Sequence, residues 1–167
     1  MTALQQPTKQ EDADAHLARL ARANINPVTG LASDYLNHFH EAIMLLELVA
    51  GSPEYTEEFL SWQPKSYREH FTHSSLKHRQ LALEAYDEAD PEARARLDQL
   101  TDAMTAALRA TRSILGTQLS GDAVASLANW SAGWLRPLVA EAGSVINGDH
   151  PPTDRPPQNA VDALLKP

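Results

Sequence analysis

The chain has 167 residues, 43% of them hydrophobic, a formal net charge of -8 and no cysteine. That length suits one ordinary hydrophobic core. The lack of cysteine removes disulfides, thiolate metal sites and cysteine nucleophiles, and the acidic balance opposes a nucleic-acid partner, whose phosphates need a basic face.

The opening MTALQQPTKQED has neither the basic nor the apolar region of a signal peptide, and no run reaches the roughly 18 apolar residues of a membrane span. A soluble, cytoplasmic protein is expected. Residues 1–10 are polar and uncapped and are expected to be disordered. From Glu11 to about Ala23, the residues Ala13, Leu17, Leu20 and Ala21 form a thin apolar stripe, which predicts a helix lying against the rest. Asn26-Pro27-Val28-Thr29-Gly30 carries turn chemistry: Pro27 keeps Asn26 out of the helical region, and Thr29 can cap the next helix.

From Thr29 to Gly51 the pattern is apolar almost all round. Leu31, Tyr35, Ala42, Leu45 and Val49 line one face, with Leu36, Phe39, Ile43 and Leu46 beside them. This is the predicted core helix, ended by a left-handed cap at Gly51. Ser52-Pro53 opens a short helix over about 53–62, stopped by Pro64. Ser66 and Glu69 form a capping box for a longer helix from Tyr67 to about Ala89. Asp90-Pro91 opens the next, to about Leu119, with Leu97, Leu100, Met104, Leu108, Thr111 and Leu115 inward and Gly116 able to end it early. Asp122 is expected to cap a last, Pro137-kinked helix whose inward register is Val124, Leu127, Ser131, Trp134, Leu138, Ala142 and Val145. Short turns and the absence of a strand pattern predict an all-α fold. It is an antiparallel bundle of about four principal helices (30–50, 67–89, 91–119, 122–146) with one or two short accessory helices, forming a single domain over 11–147. Residues 148–157 read as a proline-rich linker, and 158–167 as a short amphipathic segment on a flexible tail, with Val161, Leu164 and Leu165 on one side.

Two stretches hold candidate chemistry. On the core helix, Asp34, Asn37, His38 and Glu41 succeed one another at i, i+3, i+4 and i+7 as a polar stripe. On the second long helix, residues 65–79 (KSYREHFTHSSLKHR) set four cations and three histidines against the single acid Glu69, a reversal of sign in an acidic chain. Lys65, Arg68, His73, Lys77 and Arg79 are therefore expected to meet an acidic protein partner. A second use is metal: helical bundles hold Fe, Mn or Zn with inward histidines and carboxylates from facing helices, and His38, Glu41, His70, His73 and His78 supply those types without a Glu-x-x-His motif. A third is phosphoryl relay, with His73 as acceptor and Lys77 one turn on to steady the phosphate. This short stretch resembles histidine phosphotransfer domains, which are four-helix bundles and place their lysine where this chain has Leu76.

Residues 157–165, PQNAVDALL, resemble the docking peptides at the N-terminus of flagellar motor switch proteins and the C-terminus of chemotaxis phosphatases. The resemblance implies a receiver-type response regulator as partner, contacted by Val161, Asp162, Leu164 and Leu165. A proline-rich tether would raise the effective concentration of such a segment at a partner groove. Trp130 and Trp134, one turn apart beside Ala132 and Gly133, are expected to pack in the core, a homodimer contact being their other use. No nucleophile-elbow serine, phosphate-binding glycine loop or dinucleotide fingerprint occurs. The sequence thus points to a non-enzymatic, cofactor-free binding or adaptor module of bacterial signalling type, engaging a protein through polar helix faces and its C-terminal segment.

Overall fold

Small residues on one side of the last helix decide how the chain closes on itself. The computed structural model describes residues 9–149, and over them the protein is all-α. The helices are α1 Lys9–Arg22, α2 Leu36–Gly51, α3 Thr56–Ser61, α4 Tyr67–Thr72, α5 Arg79–Asp87, α6 Pro91–Leu115 and α7 Gly121–Asn147, with 3-10 turns at Ser33–Tyr35 and Pro53–Tyr55. The described residues contain no strand, only an isolated bridge between Ile25 and Ala32. No described helix is long and apolar enough to cross a membrane.

Helix α7 packs against both α2 and α6. Ala128, Ala132 and Ala142 are fully buried, and a Cβ at Gly143 would stand 3.7 Å from Leu36 Cδ1. Side chains this small let the apolar α2 approach closely. Leu36 lies by Gly143, while Glu47, later in α2, pairs with Arg136, earlier in α7. Arg96 pairs with Glu141, and the buried hydroxyls of Thr111 and Ser131 share a 2.9 Å hydrogen bond. Both sets of pairs run in opposite chain directions, so α7 is antiparallel to α2 and to α6. The two ion pairs are half-exposed and serve alignment more than stability.

The inward residues expected of α6 are all buried, from Leu97 to Leu115, and Asp90 caps it through its carboxylate and the Ala93 N–H at 2.8 Å. Gly116 does end that helix. In α7 the cap is Ser120, not Asp122, and Pro137 sits inside one continuous helix. Gly133, whose carbonyl Pro137 cannot satisfy, lies on the exposed side, where water can serve it.

Four further expectations change. The core helix begins at Leu36, because the Asn26 side chain accepts from the Val28 and Thr29 N–H groups and holds a turn there. Thr29 caps nothing; its hydroxyl donates to the Ile146 carbonyl at 2.7 Å, tying this turn to the end of α7. Gly51 is the last residue of α2 and not a left-handed cap, the chain leaving through an extended Ser52. The expected long helix over 67–89 is two short ones, α4 and α5, so three long helices carry the core. Thr72, His73, Ser74 and Ser75 are weak helix formers whose side chains compete for backbone groups: Ser74 Oγ accepts from the Leu76 N–H, and Arg79 donates to the Ser74 carbonyl.

At the N-terminus, Lys9 and Gln10 belong to α1, and residues 1–8 lie outside the described residues. Gly148, φ +76°, closes α7 in the left-handed conformation, and the rest of the proline-rich stretch and the tail lie outside the described residues.

Gly30 is the tightest point of the turn. Its φ is +74°, and a Cβ there would lie 2.9 Å from the Ala85 carbonyl oxygen and 3.0 Å from Ala89 Cα. Gly30→Ala combines an unfavourable backbone region with a backbone clash and is expected to cost about 1–3 kcal/mol. Urea unfolding would show it as a lower midpoint at unchanged slope.

Candidate functional site

The connection from α3 to α4, Trp62-Gln63-Pro64-Lys65-Ser66, is not helical, so its backbone groups need partners from elsewhere. Pro64 bars the helix from continuing, and Ser66 starts α4 with a complete capping box: its hydroxyl accepts from the Glu69 N–H while the Glu69 carboxylate accepts from the Ser66 N–H at 2.7 Å. Between them, Lys65 is held at both polar groups. Its N–H donates to His38 Nε2 at 2.9 Å, and its carbonyl accepts from the Tyr35 hydroxyl at 2.9 Å. Tyr67, next along, accepts at its hydroxyl oxygen from the Ala32 N–H at 2.9 Å. His38 therefore finds its partner in the Lys65 backbone.

Accepting at Nε2 fixes His38 as the neutral tautomer with its proton on Nδ1. The ring is 5% exposed, stacks on Trp62 at 4.5 Å between centroids and lies 6.0 Å from His70. Burial, with smaller contributions from His70 and Lys65, lowers its pKa to about 4. Burial likewise lowers His70, against a partial pull upward from Asp34 and Glu41.

Beside this cluster lies a polar cleft of about 360 Å³ between the start of α4, Tyr86 of α5 and the outer face of α6. Arg68 pairs with Asp87 and lies 5.3 Å from the centre of the Tyr86 ring. The Tyr86 hydroxyl donates to Asp98 at 2.6 Å. Burial and that carboxylate both push the Tyr86 pKa up, so the phenol keeps its proton and cannot act as a base near neutrality. The Arg68–Asp87 and Tyr86–Asp98 pairs in its wall join α4 and α5 to α6.

The expected site residues scatter. Arg68 is engaged internally, and Arg79 holds the loop through Ser74. His73 ends α4, its Nδ1 2.9 Å from the Glu69 carbonyl, and Lys77 lies in the loop after it, so the two share no helical row. The Lys65 and Lys77 ammonium groups are exposed and pair with no described carboxylate. Of the polar stripe, Asp34 sits in the 3-10 turn and accepts from Asn24 at 3.3 Å; Asn37 and Glu41 are exposed on α2, and only His38 turns inward. Of the five residues offered for Fe, Mn or Zn, His38 and His70 are in ring contact, Glu41 is exposed on α2 within electrostatic reach of His70, His73 caps the end of α4 and His78 precedes α5. No group of three or more histidine or carboxylate side chains among the described residues could hold a metal ion. Val161, Asp162, Leu164 and Leu165 lie outside the described residues.

The feature misread from the sequence is the tryptophan pair. Trp130 is 65% and Trp134 40% exposed. The buried side of α7 runs through Val124, Ala128, Ser131, Ala132, Leu135, Val139, Ala142, Val145 and Ile146, and Leu127 and Leu138 pack partly buried against the core. Of the expected inward register, Trp134 alone faces out. The signal was present in Ala128, Ala132, Leu135 and Val139 beside that register, small and aliphatic side chains that a close helix contact admits more readily than an indole.

Comparison with family models, curated proteins and solved structures returns no match for this chain.

His38 gives a pH signature. Its pKa is lower folded than unfolded, so the neutral ring contributes stability above about pH 6.5, and that contribution is lost as pH falls toward about 4. The expected loss is roughly 3 kcal/mol across that window. In His38→Gln, urea midpoints measured at pH 7 and pH 4.5 should differ less than in the wild type. Equal pH slopes would refute the assignment.

Proposed function

We propose that this protein is a non-enzymatic helical binding module whose contact surface is the exposed side of the α6/α7 seam. The observation that carries the reading is the pair Trp130 and Trp134, held in water one turn apart on a rigid helix that is anchored on two sides. Large aromatic groups gain most by leaving water, and tryptophan is enriched among the residues that dominate protein interfaces. The hydrogen bond from Thr111 to Ser131 sets the register of the seam, and helical spacing then places Ala103, Ala110 and Ile114 of α6 on the same side as Trp134. Ile114 is itself 46% exposed, and the alanines stand low. Two tall indoles beside a low run of small side chains form a ridge and a shallow trough, which suits an apolar helix face of a protein partner.

The basic stretch enters this reading in reduced form. Lys65 and Lys77 are the cations available to an acidic partner, whereas Arg68 and Arg79 already bind within the chain. The neutral proton state of Tyr86 and the paired groups of the polar cleft favour binding over catalysis.

The test is capture of protein partners from an extract of the source cells on immobilised wild type, on Trp130→Ala/Trp134→Ala and on the control Met44→Ala/Leu48→Ala. All four side chains are exposed, so the melting temperature should barely move. Each tryptophan truncation is expected to remove about 1–2 kcal/mol or more of binding, so the double tryptophan variant loses a partner that the control retains. A partner set that is unchanged by the tryptophan changes rejects this surface. Light scattering on the same proteins reads whether the partner is a second copy.

A further inference from the structure

Where α7 ends, the chain is tied to the edge of an apolar groove. The groove, about 400 Å³, lies between α1, the 27–30 turn and α5, with Leu17, Leu20, Val28 and Leu81 as its apolar lining and Glu84 and Glu88 on its rim. Val28 is 82% and Leu17 45% exposed, an unusual state for branched aliphatic side chains that line the same groove. The turn that forms its wall is the one bound to α7. The Thr29 hydroxyl holds the Ile146 carbonyl at 2.7 Å, and the Asn26 amide donates to the Asn147 carbonyl at 3.3 Å. Gly148 then packs over Thr29, a Cβ there standing 3.6 Å from Thr29 Cγ2. The described chain therefore ends beside the groove.

We infer that the C-terminal segment 158–167 of this same chain docks in cis in the groove between α1 and α5, with Val161, Leu164 and Leu165 on its apolar lining and Lys166 toward the acidic rim. Three observations on different levels support this occupant. Val161, Leu164 and Leu165 stand at i, i+3 and i+4, so a helical turn presents them together. Lys166 comes directly after them, and Glu84 and Glu88, one turn apart on and just after α5, give it an acidic counterpart. Residues 150–160 can span at most about 40 Å when extended, and the groove wall is the turn on which Gly148 packs. A short tether also gives the segment a millimolar-range effective concentration, so a few buried aliphatic groups are enough to hold it. The segment would cover Val28 and Leu17, and any outside protein drawn to this groove would have to displace it. The proposal is independent of the tryptophan surface, which lies along a different helix seam.

The chain has no cysteine, so introduced pairs report without background. Val28→Cys/Leu165→Cys in the full-length protein, oxidised at low micromolar concentration, is expected to form an intrachain disulfide. It should form faster than in Leu119→Cys/Leu165→Cys, whose loop position lies at the opposite end of α7. Adding Val161→Asp and Leu164→Asp to the first pair should slow closure about ten-fold by removing the apolar face. Closure at the same rate with the aspartates present would mean proximity alone and would overturn the proposal. An interchain product in place of the intrachain one would overturn it too, returning the segment to the role in trans that its sequence resembles. Val28 is exposed, so its replacement leaves the fold intact, and adding Trp130→Ala/Trp134→Ala to the Val28→Cys/Leu165→Cys protein should leave its rate of closure unchanged.

Discussion

The non-helical backbone at Lys65 is the point on which one whole side of the molecule depends. Its N–H and carbonyl are both bound by side chains from the start of the core helix, His38 and Tyr35, while Tyr67 reaches back to the Ala32 N–H. A buried backbone group left without a partner costs about 1–3 kcal/mol, so these bonds set where α4 starts and how it sits against α2. From α4 the lattice continues through Arg68 to Asp87 and through Tyr86 to Asp98, which fixes α5 on α6. Histidine serves the structure here because it can accept a hydrogen bond while remaining neutral and stacking on Trp62.

The opposite side is built on close approach. Alanines and Gly143 let α7 sit tightly against α2, and the same choice expels Trp130 and Trp134 to the surface. Packing and exposure are thus two results of one constraint. The surface proposed for binding is stiff, since its helix is buried along one full side and tied at its end to the 26–30 turn. Rigid aromatic anchors lose little conformational entropy on contact, which favours a defined partner over nonspecific adhesion.

Much of this was legible in the residues. Asp90-Pro91, Ser66 with Glu69, and the inward row from Leu97 to Leu115 act through local geometry, and each stands as read. The break at residues 73–78 was harder, because an amphipathic pattern on either side of it reads as one helix, and only the competing bonds of Ser74 and Arg79 show that it is not. The polar stripe and the basic stretch are dispersed in the fold for a related reason. Spacing along one helix says which side chains are neighbours, but nothing about which partners other elements bring to them.

The sequence by itself determined that the chain is helical, where most helices start and stop, and that disulfides and thiolate chemistry are absent, since these depend on capping, periodicity and composition. Only the tertiary structure decided that Trp134 faces out while Ala128, Ala132, Leu135 and Val139 beside its register are buried, because that depends on how near the packed helices can come. It alone gave His38 the Lys65 backbone as partner, placed Arg68 on Asp87, and brought the end of α7 to the wall of an apolar groove. These are contacts between residues far apart in the chain, and their energies come from the shape of the space between elements, which no local pattern encodes.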